Sequence, residues 1–156
     1  MLDEATSAFL LTGCSLIVGA LTPDGEPFAT RGWGLRVAGG DDHVRVVVGA
    51  ADVARLELEG GAGRRIAVTG ADVPTLRSVQ LKGEVQALDA VDEADRVQHH
   101  SFCDQFFADV HRTDGTARHL MERLVPADLV VLVVRVTELF DQTPGPRAGQ
   151  PLTARA

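Results

Sequence analysis

Cysteine is scarce: Cys14 and Cys103 are the two in 156 residues. Two are too few for a disulfide framework, and they suit a reducing compartment. Basic residues are in deficit as well. Fifteen lysines and arginines face 22 aspartates and glutamates, for a formal net charge of -7. A nucleic-acid surface usually shows the opposite surplus, so that class of partner is not expected. No apolar run is long enough to span a bilayer. The opening stretch "MLDEATSAFLL" carries acids where a secretory leader carries bases. The expectation is a cytoplasmic protein with no membrane partner. There is no P-loop, no dinucleotide fingerprint, no Ser-His-Asp arrangement and no internal repeat.

The chain is 45% hydrophobic and 24% charged, enough for one domain with a real core over 1–156. "LDEATSAFLLTG" reads as a short helix, capped by Asp3 or Thr6 and ended by Gly13. "SLIVGALT" follows as a strand, "PDGEP" as a turn, and Phe28 to Val37 as the returning arm of a hairpin. "HVRVVVG" is a third strand, "ADVARLELEGG" a short helix ended by Gly60 and Gly61, and "RRIAVTG" a fourth strand. "LRSVQLKGEVQAL" alternates: Val79, Leu81, Gly83, Val85 and Ala87 share one face, and polar residues take the other. Asp92 is placed to cap a helix from Glu93 to Val110, with Val97, Phe102, Phe106, Phe107 and Val110 on its apolar side. Thr116 is placed to cap a second helix through Leu124. "DLVVLVVRVTELF" is a sixth strand, and the Pro- and Gly-rich tail 141–156 is expected to be irregular. Short turns favour antiparallel pairing. The expected fold is mainly β with α: a six-stranded antiparallel split barrel with flanking helices.

One stretch resists an ordinary reading. In "FATRGWGLRV", alternation puts Thr30, Gly32, Gly34 and Arg36 on one face, and Arg31, Trp33, Leu35 and Val37 on the other. Two glycines on one face weaken a strand, so something is expected to approach that bare backbone closely. A flat ligand, another strand and a partner subunit's backbone all satisfy the pattern. Elsewhere, "HHSFC" puts His99 and Cys103 on one helical face, with His100 beside them and His111 and His119 nearby. Two side chains make an incomplete metal site, so none is expected. The reading is an exposed histidine pair and a half-buried cysteine.

Taken in order, "LIVGALTPDGEPFATRG", the helix after "VVVGAAD", "LRSVQLKGEV" and the ending "LFDQTPGPRAG" resemble the pyridoxamine 5'-phosphate oxidase-like family of flavin-binding split barrels. The resemblance runs from about Leu10 to Gly149. It implies a homodimer with FMN in a cleft between subunits, against the outside of the barrel. It implies a flavoprotein, an oxidoreductase acting on a small molecule. Deazaflavin and haem are the alternative ligands, and a non-catalytic sensor or a barrel without its cofactor the alternative roles. Residue by residue, it implies cofactor contacts from Thr30, Arg31, Gly32, Trp33 and Gly34, from Val48 and Gly49, and from Arg77 and Ser78. The chain departs from the family at "GAADVAR". The oxidases hold the phosphate there with a basic pair, whereas this chain has Asp52, placed to cap the helix, and its nearest base is Arg55. Arg31, Arg36, Arg77 and Lys82 are the other candidate clamps, with Arg77 preferred to Arg55. The tail offers only Arg147 and Arg155, in a different context from the oxidases, so pyridoxal phosphate synthesis itself is not expected. No catalytic side chain is legible.

Overall fold

The computed structural model describes residues 2–38, 40, 42–56 and 63–152. Asp3 caps the first helix, α1 (Glu4–Leu11), by accepting a hydrogen bond from the Thr6 backbone at 2.7 Å. The chain then runs as β1 (Ser15–Leu21), β2 (Pro27–Val37) and β3 (His43–Gly49), the first two joined by a tight turn. A short helix, α2 (Ala50–Arg55), leads to β4 (Arg65–Ala71) and β5 (Ser78–Ala90). The stretch expected to continue that helix to Gly60 and Gly61 lies outside the described residues. Two helices, α3 (Glu93–Asp114) and α4 (Arg118–Glu122), precede β6 (Leu129–Asp141).

Six strands close into an antiparallel barrel in the order β3-β2-β1-β4-β5-β6, and β6 pairs back onto β3. Closure needs the two long strands to bend. The β5–β6 register shifts twice, between Lys82 and Gly83 and between Val85 and Ala87, as bulges do at barrel bends. Alternation on β5 holds as expected up to that second shift: Val79, Leu81, Gly83 and Val85 are buried. Leu16, Val18, Val44, Val46, Val68, Leu81, Val85 and Val134 are essentially inaccessible and fill the core. Val53 of α2, Leu56 at its C-cap and Leu10 of α1 join the same cluster.

Three local expectations change. The third helix does not stop at Val110; it continues to Asp114, and Gly115 ends it in the left-handed conformation (φ 79°). Thr116 is not a cap, because α4 starts from Ala117 without a side-chain cap. The tail is not wholly irregular: Gln150–Pro151 form β7 on the edge of β6. Before it, the Gln142 backbone donates to Ser78 O and the Ser78 backbone donates to Thr143 Oγ1, so the tail folds onto its own barrel.

Candidate functional site

The two glycines of β2 do not form one bare face. The register against β3 slips between Gly32 and Leu35, so three steps on β2 match two on β3. Such a bulge breaks the period of two. Gly32 therefore points inward with its neighbour Thr30: a Cβ there would meet Leu16 Cβ at 2.9 Å and Val46 Cγ1 at 3.6 Å. Gly34 points outward, and a Cβ would meet the His99 Cα of α3 at 3.3 Å. The close approach read from the sequence is real, but the approaching bodies are the core and a helix backbone. Trp33, 2% exposed, sits at the bulge, and its carbonyl accepts a hydrogen bond from His99 Nδ1 at 2.6 Å. Arg36, a further clamp candidate, belongs to a structural network.

That network fixes α3 to the barrel. Asp95 is buried and accepts hydrogen bonds from Arg36 and Arg45; the same carboxylate closes a capping box with Asp92. Burial alone would raise the Asp95 pKa. The Arg45 hydrogen bonds, the Asp92 backbone N–H and Arg36 outweigh it and bring it down to about 2. Farther along α3, Phe102, Cys103, Phe106 and Phe107 are buried, while Val97 is exposed rather than part of the apolar face. The histidine reading changes likewise: His99 is half-buried and hydrogen-bonded, and Cys103 is buried, its thiol pushed up to about 11 chiefly by desolvation. Among the described residues no group of three or more histidine, cysteine or acidic side chains is arranged to hold a metal.

At the start of α2, Val48 is buried and Gly49 is the N-cap residue, with no side-chain capping bond. Asp52 is therefore not the cap. Its carboxylate accepts a hydrogen bond from Thr30 Oγ1 at 2.6 Å. Thr30, Gly32, Val48 and Gly49 thus lie together on adjoining strands, as Gly32 pairs with Val48. Arg55 is exposed and stacks on Phe28, 4.2 Å from the ring centroid. Arg77 is exposed on the far side of β4, stacks on Phe9 at 4.6 Å, and helps to lower the pKa of Asp141. Ser78 is buried beside it, its hydroxyl donating to Leu76 O. Arg77 and Ser78 are therefore not brought together with the β2–β3 group.

Arg31 differs from the other candidate bases. It is half-buried on the outer wall, in a row that runs across four strands through Ile17, Thr69 and Gln80. The guanidinium lies over the Trp33 and Phe106 rings, 5.9 and 5.3 Å from their centroids. Its one hydrogen bond goes to Ser15 Oγ at 3.2 Å, and it has no ion pair among the described residues. Burial lowers its pKa below the ordinary guanidinium value. An uncompensated, partly desolvated cation is a place where an anion is favoured. The sequence placed Arg31 in the candidate set, but that no described acidic side chain pairs with it is a property of the folded packing.

The arrangement defines a class by its fold: a closed six-stranded antiparallel barrel with flanking helices, the architecture that the sequence resemblance implied. No protein-family model matches the chain, and no curated protein does. Solved structures do. An FMN-binding protein from Syntrophomonas wolfei is 15% identical, covering 96% of this chain and 86% of its own, with a TM-score of 0.51. A Lactobacillus delbrueckii protein provisionally named a pyridoxamine 5'-phosphate oxidase is 15% identical over 89% of this chain and 93% of its own, at 0.53. An F420 reductase is 18% identical over 88% of this chain and 98% of its own, at 0.51. At such identities the likeness is one of fold.

Proposed function

We propose that the chain binds FMN against the outer wall of its barrel, as a homodimer, and serves as an oxidoreductase for a small organic molecule. Arg31 carries the reading. It offers a phosphate a guanidinium already partly stripped of water and, among the described residues, without an acidic competitor. Arg77 lies beside Asp141 and Arg55 is fully at the surface, so Arg31 replaces Arg77 as the preferred clamp. The flavin supplies the redox chemistry; the chain's residues bind it, orient it and keep water from it. The fold shared with the FMN-binding protein from Syntrophomonas wolfei supports the choice of cofactor.

One observation favours a second reading, in which the barrel holds deazaflavin, haem or no cofactor and does no redox work. Asp52 and Thr30 stand at the start of α2, where the oxidases have a basic pair. A carboxylate beside that turn repels a phosphate, so a flavin bound as in the oxidases is disfavoured there. The visible spectrum of the purified protein, before and after incubation with each ligand, separates the readings. Flavin bands that survive desalting support the proposal. A Soret band or a colourless protein after loading contradicts it.

A further inference from the structure

A cleft of about 1030 Å³ opens on the barrel's outer wall beside the β1–β2 hairpin. Its floor is a row in register across four strands: Ala29, Gly19, Ala67 and Lys82. Gly19 stands apart from the other strand glycines. At Gly32, Gly34, Gly49, Gly70 and Gly83 an added Cβ would meet a neighbour at 3.3 Å or closer. At Gly19 the nearest atom would be Phe28 O at 4.0 Å, and no positive φ calls for glycine. A strand glycine costs stability relative to alanine, and the packing around Gly19 does not require it. What the glycine does is keep the cleft floor flat.

The charge of the cleft runs against that of the molecule. The chain carries a net -7, yet among the described residues that line the cleft Arg64, Arg65 and Lys82 are cationic and none is acidic; Glu138, outside the lining, stands 3.6 Å from Arg65. Lys82 has no ion pair among the described residues; its ammonium lies 4.4 Å from the Phe140 ring centroid. Arg64 is held in place by Leu21 O and Leu56 O, at 2.9 and 3.2 Å, both through the same nitrogen. Leu21, Pro27 and Phe28 supply the apolar side. A flat floor, an apolar wall and a cationic end together select a flat organic anion. We infer that this cleft is a binding site for a planar aromatic carboxylate or phosphate. It lies one row, roughly 7 Å, along β2 from Arg31. The inference stands without the flavin reading; if both hold, the anion lies beside the cofactor, where a substrate belongs.

The test uses the full chain, stripped of any ligand, with 2-naphthoate as probe and 2-naphthamide as its neutral match. Calorimetry is expected to show naphthoate binding at least tenfold tighter, because only the carboxylate meets the cations. Gly19→Val, which fills the floor with space to spare, is expected to weaken naphthoate tenfold or more with an unchanged circular dichroism spectrum. Lys82→Gln is expected to remove most of the preference over the amide, and serves if the first variant folds poorly. Arg31→Ala is expected to leave naphthoate binding intact. Equal affinity for acid and amide, or full affinity in both Gly19→Val and Lys82→Gln, overturns the inference. So does Arg31→Ala abolishing naphthoate binding, since the anion then lies at Arg31. FMN binding that fails while naphthoate binds defeats the flavin reading alone.

Discussion

Asp95 holds two guanidinium groups at once, and that makes the link between α3 and the barrel depend on pH. Its carboxyl has a folded pKa of about 2 against an ordinary 3.8. A depressed carboxyl pKa lends stability that is fully present above the unfolded value and lost as pH falls through the folded one. The contribution is about 2 kcal/mol, present above roughly pH 5 and fading towards pH 2. Asp95→Asn leaves Arg36 and Arg45 without their shared buried partner and is expected to cost about 3 kcal/mol at neutral pH. Urea unfolding at a series of pH values checks this: the gap between parent and variant should narrow steadily below pH 5. A gap that stays constant to pH 2 would mean that Asp95 is not the titrating link. In the sequence, Asp92 was legible as a cap, because capping is a local pattern. The ties from Asp95 to Arg36 and Arg45 were not, since they span 59 and 50 positions.

The bulge in β2 governs what a mutation there does. Alternation alone placed both glycines on one open face, from which Gly34→Val would block a ligand and spare the fold. Instead the outward position of Gly34 faces the α3 backbone at His99, and its φ is 156°. Gly34→Val is therefore expected to destabilise the protein by about 2 kcal/mol or more, from overpacking and backbone strain. Thermal unfolding reads it directly; an unchanged melting temperature would contradict the helix contact. Strands and helices were legible because their periods appear within a few residues. One inserted residue reverses every later facing on a strand, and nothing local in "TRGWGL" marks the slip. That is why the order of elements was right and the glycine face was not.

At the scale of the whole molecule, the outer wall sets the expectation of a dimer. Ile17 and Leu21 stand outward, 38% and 57% exposed, in the rows beside Arg31 and the cleft. A ligand on the outside of a barrel stays wet unless a second body covers it, and a two-fold copy of the same wall is the usual cover. Sedimentation equilibrium at micromolar concentration is expected to give twice the 16.6 kDa chain mass. Ile17→Glu, an exposed change that leaves the core untouched, is expected to give the monomer. A stable monomer of the parent chain would remove the shared-cleft arrangement. The barrel could be read from strand count and turn spacing, whereas the setting of Arg31 could not, because every arginine looks alike until its partners are known. The most direct measurement is a titration of the cofactor-free protein with FMN and with riboflavin, in the parent and in Arg31→Ala. Only FMN carries the phosphate, so the parent is expected to prefer it. Arg31→Ala should lose about ten- to a hundred-fold in FMN affinity, the worth of a charged hydrogen bond of about 1.5–3 kcal/mol, and little for riboflavin. An unchanged preference in the variant would show that Arg31 does not hold the phosphate, and an absence of FMN binding in the parent would contradict the account at its centre.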